Sequence, residues 1–188
     1  LGFDLKLIPS KHLFQPNKIK NETLSSSSVN PTKFAPELLN QLVELTANLS
    51  NAFTIALYKI NLSGKTLTLR HYISLSTSFN PETKIGFGKG LIGIVAKNKQ
   101  LLIKENYKNS SIAIDFYKTK ENLKSYFITP VIHENLEGVL FIDSKESYNF
   151  STKQQKILSD LANQMAWHLN HERIFPLTNN PKYSGKTS

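Results

Sequence analysis

A glycine-punctuated turn at Gly86, Gly88, Gly90 and Gly93 opens the part of this chain that most restricts its fold. The stretch KIGFGKGLIGIVAKNKQLLIKE, starting at Lys84, requires a tight turn, then a short apolar helix, then a brief strand at LLIK. SYFITPVI and GVLFIDS follow as two apolar strands joined by HENLE, a polar hairpin connection. A long amphipathic helix comes next. Ser151 caps it and Gln154 completes a capping box. Ile157, Leu158, Leu161, Ala162, Met165 and Leu169 form its buried stripe, and Pro176 ends it soon after Ile174.

Upstream, helical spacing begins near Ala35, where Leu38, Leu39, Leu42, Val43, Leu45 and Leu49 share one broad apolar face. AFTIALYKI and TLTLRHYISLS then form a hairpin around Gly64. Strict alternation in its second strand puts Leu67, Leu69, His71 and Ile73 on one face and Thr68, Arg70 and Tyr72 on the other. Residues 1–33, broken by Pro9, Pro16 and Pro31 and by the Ser25 to Ser28 tract, read as an arm or linker. The domain is expected at 34–175 and a polar tail at 176–188. A start at Leu1 with no leader pattern suggests a fragment or a processed chain. Hairpins between flanking helices indicate an α+β fold on an antiparallel sheet, not a doubly wound parallel one.

Several chemistries are excluded or disfavoured. Without cysteine there is no disulfide, no zinc-thiolate site and no thiol nucleophile. The net charge of +9 comes almost wholly from dispersed lysines, with only Arg70 and Arg173 able to fork onto phosphate or base edges, so nucleic acid is disfavoured as a partner. No stretch reaches the roughly 18 apolar residues of a membrane span. Gly88, Gly90 and Gly93 spell a dinucleotide fingerprint, but the residues before them are loop-like rather than a buried strand. The two Gly-Lys-Thr triplets lack the first glycine of a phosphate loop.

His168 and His171 could share a metal, but near a helix C-terminus histidine more commonly serves the dipole and solvent. His71 reads as a core histidine and His133 as a turn residue. No nucleophile, base and orienting group share a recognisable spacing, and no pair of carboxylates sits in an apolar strand, so the chain is not read as an enzyme. Arg70 stands out. Flanked by Thr68 and Tyr72, it could hold an anionic ligand, or simply lie along an edge over apolar neighbours.

Taken together, GLIGIVAKNKQLLI, KSYFITPVI with Ser125 and Pro130, GVLFIDSK and NFSTKQQKILSDLANQMA resemble the GAF domain, over about 35 to 172. The resemblance implies a GAF/PAS-like antiparallel sheet of about five to six strands. Terminal helices would pack on one face, and a short helix and loop within ENYKNSSIAIDFYKTKENL would form a lid on the other. It implies a small-molecule pocket under that lid drawing on Tyr58, Arg70, Tyr72, Phe116, Tyr117, Phe127 and Thr129, and a homodimer through the terminal helices, with Trp167 suited equally to that contact or to packing on the domain's own first helix. Lack of cysteine removes covalent bilin attachment and the methionine-sulfoxide reductase chemistry of some members, so no cofactor is expected beyond an unknown non-covalent ligand. The cyclic-nucleotide signature of the family cannot be completed here. The expected function is ligand sensing in a cytoplasmic, prokaryotic signalling protein whose output module lies elsewhere. The alternative is a ligand-free dimerisation module, favoured if side chains close the interior beneath the lid.

Overall fold

The computed structural model describes residues 31–61, 63–105, 114–147 and 150–174. Its elements are α1 (Pro31–Ser50), β1 (Thr54–Ile60), β2 (Thr66–Ser74), β3 (Ile85–Gly86), α2 (Gly90–Asn98), β4 (Leu102–Lys104), β5 (Ser125–His133), β6 (Asn135–Ser144) and α3 (Thr152–Ile174). Six strands make one sheet in the order β3-β2-β1-β6-β5-β4, with every pairing antiparallel. The α+β expectation holds, and the sixth strand is the two-residue β3. The tail at 176–188 and all of the arm but Pro31 to Lys33 lie outside the described residues; those three belong to α1. Part of the expected lid, 106–113, also lies outside them, and 114–124 contains no helix.

Two cores back the sheet. Leu39 and Val43 of α1 and Leu158, Ala162, Met165, Ala166 and Leu169 of α3 meet Ile55, Leu57, Phe127, Leu140 and Ile142 on one face. On the other, Ile92, Val95 and Ala96 of α2, with Phe79 and Phe116, cover Ala56, Tyr58, Leu67, Ile128, Val139 and Phe141. The alternation within each strand produces this division.

α3 starts as its capping box requires: Gln154 N–H donates to Ser151 Oγ at 3.3 Å, and Ser151 N–H to Gln154 Oε1 at 3.0 Å. α1 departs from expectation. Its buried line is Leu39, Val43, Thr46 and Ser50, while Leu38, Leu45 and Leu49 face outward. The two buried hydroxyls are satisfied within the helix, Thr46 Oγ1 donating to Leu42 O at 2.6 Å and Ser50 Oγ to Thr46 O at 2.7 Å. They can therefore replace larger apolar residues against the sheet without a desolvation cost. α3 likewise buries Ala166 and His168, whereas Ile157 is exposed.

Two bulges reset the alternation. Leu57 pairs with His71 and Tyr58 with Leu69, which leaves Arg70 as an extra residue on β2. Consequently Leu67 and Leu69 pack under α2, while Ile73 packs with the α1/α3 core. This corrects the single face expected for Leu67 through Ile73. In β6, Val131 pairs with Gly138 and Ile132 with Leu136, so Glu137 is the extra residue.

Candidate functional site

Cross-strand register fixes what the covered face presents opposite the terminal helices. Three rows run across the sheet: Tyr126, Asp143, Thr54 and Ser74; then Ile128, Phe141, Ala56 and Tyr72; then Val139, Tyr58 and Leu69. The first row is polar and the other two apolar or aromatic. Above them, segment 76–80 pairs with 116–118 through Asn80 N–H to Phe116 O at 2.7 Å and Lys118 N–H to Ser78 O at 2.9 Å. Phe79, Phe116 and Tyr117 thereby lie over the sheet as a lid.

The rings are in contact. Tyr72 stacks on Phe79 at 4.6 Å between centroids, Phe79 meets Phe116 at 5.0 Å, and Phe116 meets Tyr117 at 4.7 Å and Phe141 at 4.9 Å. Tyr58 stacks on Phe116 at 6.3 Å. Its ring is fully buried and its hydroxyl has no hydrogen-bond partner among the described residues. Burial, with Asp115 nearby, raises its pKa. A buried hydroxyl left unpaired costs roughly 1–3 kcal/mol.

The polar row is closed by the lid. Tyr117 OH lies 2.7 Å from Asp143 Oδ2 and 2.6 Å from Thr54 Oγ1, and Thr54 Oγ1 lies 2.6 Å from Ser74 Oγ. Thr54 N–H donates to Asp143 Oδ1 at 2.9 Å. Burial pushes the Asp143 carboxyl up to about 7, and raises the Tyr117 phenol as well. Beside them Glu121 accepts hydrogen bonds from Ser76 and Ser78 and an ion pair from Lys145, which hold its carboxyl below the usual range. At the other end, the Asp115 carboxylate lies against Gly90, leaving no room there for a Cβ. It places a negative charge at the N-terminus of α2, whose own cap residue Lys89 contributes no side-chain bond.

The seven residues expected to line one pocket do not gather. Tyr58, Tyr72, Phe116 and Tyr117 share the lid-covered face. Phe127 and Thr129 belong to the opposite rows, Phe127 with Ile142 and Ile55, and Thr129 with Leu140 and Leu57. Phe127 meets the Phe150 ring ahead of α3 in a tilted contact, 5.4 Å between centroids. Arg70, the extra residue of the β2 bulge, faces away from the lid and donates Nε–H to Glu172 Oε2 of α3 at 2.9 Å. That pairing, chiefly the hydrogen bond, raises its pKa. The anion-binding role weighed for Arg70 finds no partner under the lid.

Thr54, Ser74, Glu121 and Asp143 were absent from the expected set. Asp143 alone had a signal, as the single acid closing the apolar run Val139 to Ile142. His168 also differs from its expected solvent role: its ring is buried, its Nδ1 has no partner among the described residues, and burial lowers its pKa. Among the described residues no cluster of three or more metal-ligating side chains occurs.

Comparison with known proteins agrees with this architecture. A GAF domain family model matches residues 28–170. No curated protein matches the chain by sequence. The fold is similar to that of the GAF domain of a phosphoenolpyruvate-protein phosphotransferase from Acinetobacter, with TM-score 0.65 and 18% identity over 77% of this chain and 87% of that one. It is similar to the GAF domain of a two-component sensor histidine kinase from Bacillus halodurans, with TM-score 0.60 and 18% identity over 74% and 95% of the two chains. It also resembles a type II free methionine-R-sulfoxide reductase from Thermoplasma acidophilum, with TM-score 0.61 and 18% identity over 74% and 94%.

Proposed function

The chain belongs to the GAF domain family, a regulatory module of signalling proteins, and from that membership we propose that it senses a small molecule beneath its lid. The supporting observation is the buried, unpartnered hydroxyl of Tyr58 within an otherwise aromatic and aliphatic interior. Such an interior suits a neutral, mainly apolar guest that offers one hydrogen-bond acceptor. It does not suit an anion, because Arg70 faces the other side of the sheet. The folded module is read as 34–175 with its first helix beginning slightly earlier, between an arm and a polar tail, in a cytoplasmic signalling protein.

Signal would leave through the terminal helices. α1 and α3 pack together on the face opposite the lid, and their outer surfaces carry Leu38, Leu45, Leu49, Ile157, Trp167 and Ile174. Trp167 is 51% exposed and stacks on His171. Apolar side chains in such an arrangement favour a homodimer. A guest biases the output only by binding two arrangements of these helices with different affinity.

A ligand-free dimerisation module is the second reading, favoured by the close contact of Tyr72, Phe79, Phe116, Tyr117 and Phe141 under the lid. Native mass spectrometry of the protein purified from its source separates the two. A dimer carrying a small-molecule adduct supports sensing, a bare dimer supports the second reading, and a bare monomer rejects both.

A further inference from the structure

At the polar end of the covered face, Asp143 Oδ2, Tyr117 OH, Thr54 Oγ1 and Ser74 Oγ form an unbroken line of oxygens at successive separations of 2.7, 2.6 and 2.6 Å. Asp143, Thr54 and Ser74 belong to three neighbouring strands, whereas Tyr117 belongs to the lid. The three contacts require three hydrogens, and two arrangements supply them. With Asp143 protonated, the acid donates to Tyr117, Tyr117 to Thr54 and Thr54 to Ser74. With Asp143 ionised, every bond reverses, starting from the Ser74 hydroxyl.

These arrangements are unequal in energy. Asp143 is fully buried, and among the described residues the ionised form has the Thr54 N–H and the Tyr117 O–H in place of water. The titratable groups facing it are Tyr117 and Glu121 from the lid, Tyr126 across the ladder on β5, and Lys145 just beyond β6. Lys145, whose charge favours ionisation of Asp143, is held by Glu121 at 2.9 Å, and the Glu121 charge opposes that ionisation.

We propose that Asp143, Tyr117, Thr54 and Ser74 form a proton-operated latch for the lid, held shut by the neutral acid and released when its proton passes to solvent. In the open state Asp143 is hydrated and titrates in the ordinary carboxylate range, so opening is coupled to loss of one proton. The latch regulates access to the face described above, but its operation and its test need no guest.

Two readouts on the whole chain decide it between pH 5 and 8: the ¹³C shift of the Asp143 carboxyl, and hydrogen exchange of the amides at 116–121 corrected for intrinsic rates. The carboxyl should titrate near neutrality, where burial places it. The lid opening constant should rise about tenfold per pH unit up to that midpoint and then level off. Asp143→Asn, which keeps the shape and cannot ionise, should remove the slope. Tyr117→Phe keeps the ring and removes the relay oxygen, and should increase lid opening at pH 5 by about tenfold, the worth of one such bond. A carboxyl titrating near pH 4 overturns the latch, as does corrected exchange that is flat with pH. Should Asp143→Asn fail to fold, an unchanged opening constant in Tyr117→Phe at pH 5 overturns it equally.

Discussion

Arg70 on β2 and Glu172 on α3, 102 positions apart, meet on the helix-covered side of the sheet, with Nε and Nη2 of the guanidinium both donating to the carboxylate. Leu69 faces the lid, so alternation turns Arg70 to the helix side, and the bulge there keeps His71 on that side as well. The second bulge repeats the arrangement with the charges exchanged: Glu137 accepts from Arg173, the next residue of α3, at 3.0 Å. The last turn of α3 is thus tied to β2 and β6 by two ion pairs of opposite polarity.

Glu172→Gln should destabilise the domain by about 1–2 kcal/mol, below the range for a fully buried pair because both side chains keep some exposure. A double-mutant cycle with Arg70→Met, read by urea unfolding, should recover a coupling of similar size. Additive single-mutant effects would show that the pair contributes nothing.

The second pair should respond asymmetrically. The Glu137 side chain is 2% exposed and that of Arg173 is 42% exposed. Arg173→Ala strands a buried carboxylate and should cost about 1–2 kcal/mol, whereas Glu137→Gln leaves a cation that water can reach and should cost less than about 1 kcal/mol. Equal losses in denaturant titration would contradict this ordering.

Tyr58→Phe removes a hydroxyl that has no partner among the described residues, so the guest-free domain should gain up to about 1 kcal/mol in thermal or urea unfolding. The same change should abolish any small-molecule adduct seen in native mass spectra. A loss of stability in the guest-free protein would reveal a partner for the hydroxyl.

Gly93→Ala should be far more damaging than Gly64→Ala. A Cβ at Gly93 would lie 2.2 Å from Gly86 O, whereas at Gly64 it meets nothing and strains only a backbone at φ +67. Expected losses are above about 3 kcal/mol and near 1 kcal/mol respectively. Comparable melting temperatures for the two variants would mean that α2 is not seated against the turn as described.

Global stability should fall as pH rises from about 4 to 7. Asp143 ordinarily titrates at 3.8 and is raised to about 7 when folded, so across that interval the folded state binds the extra proton. Its contribution is complete below pH 4, is lost progressively up to 7 and is constant above, with an upper bound of about 4 kcal/mol. Urea titrations of Asp143→Asn should lack this component. A wild-type stability that rises between pH 5 and 7 would reverse the sign.

The α+β class, the hairpins, the capping box of α3 and the glycine-bounded α2 were legible because each depends on residues near one another in the chain. Periodicity, turn chemistry and caps act within a few positions. The family likeness was carried by the same segments, in the order they follow. What the sequence could not settle was the facing of individual side chains. Alternation groups Leu67 with His71, yet the two lie on opposite sides, and Phe127 and Thr129, expected under the lid, sit beneath the helices.

One inserted residue in a ladder reverses every later side chain on that strand, and no local property of TLTLRHYIS marks where the insertion falls. Pairing with a distant strand decides it, as it decides that Thr54, Asp143 and Ser74 become neighbours beneath Tyr117. The chain's own residues determined which elements form and in what order. Only the assembled sheet, through its register and bulges, decided which charges meet α3 and which acid lies buried under the lid.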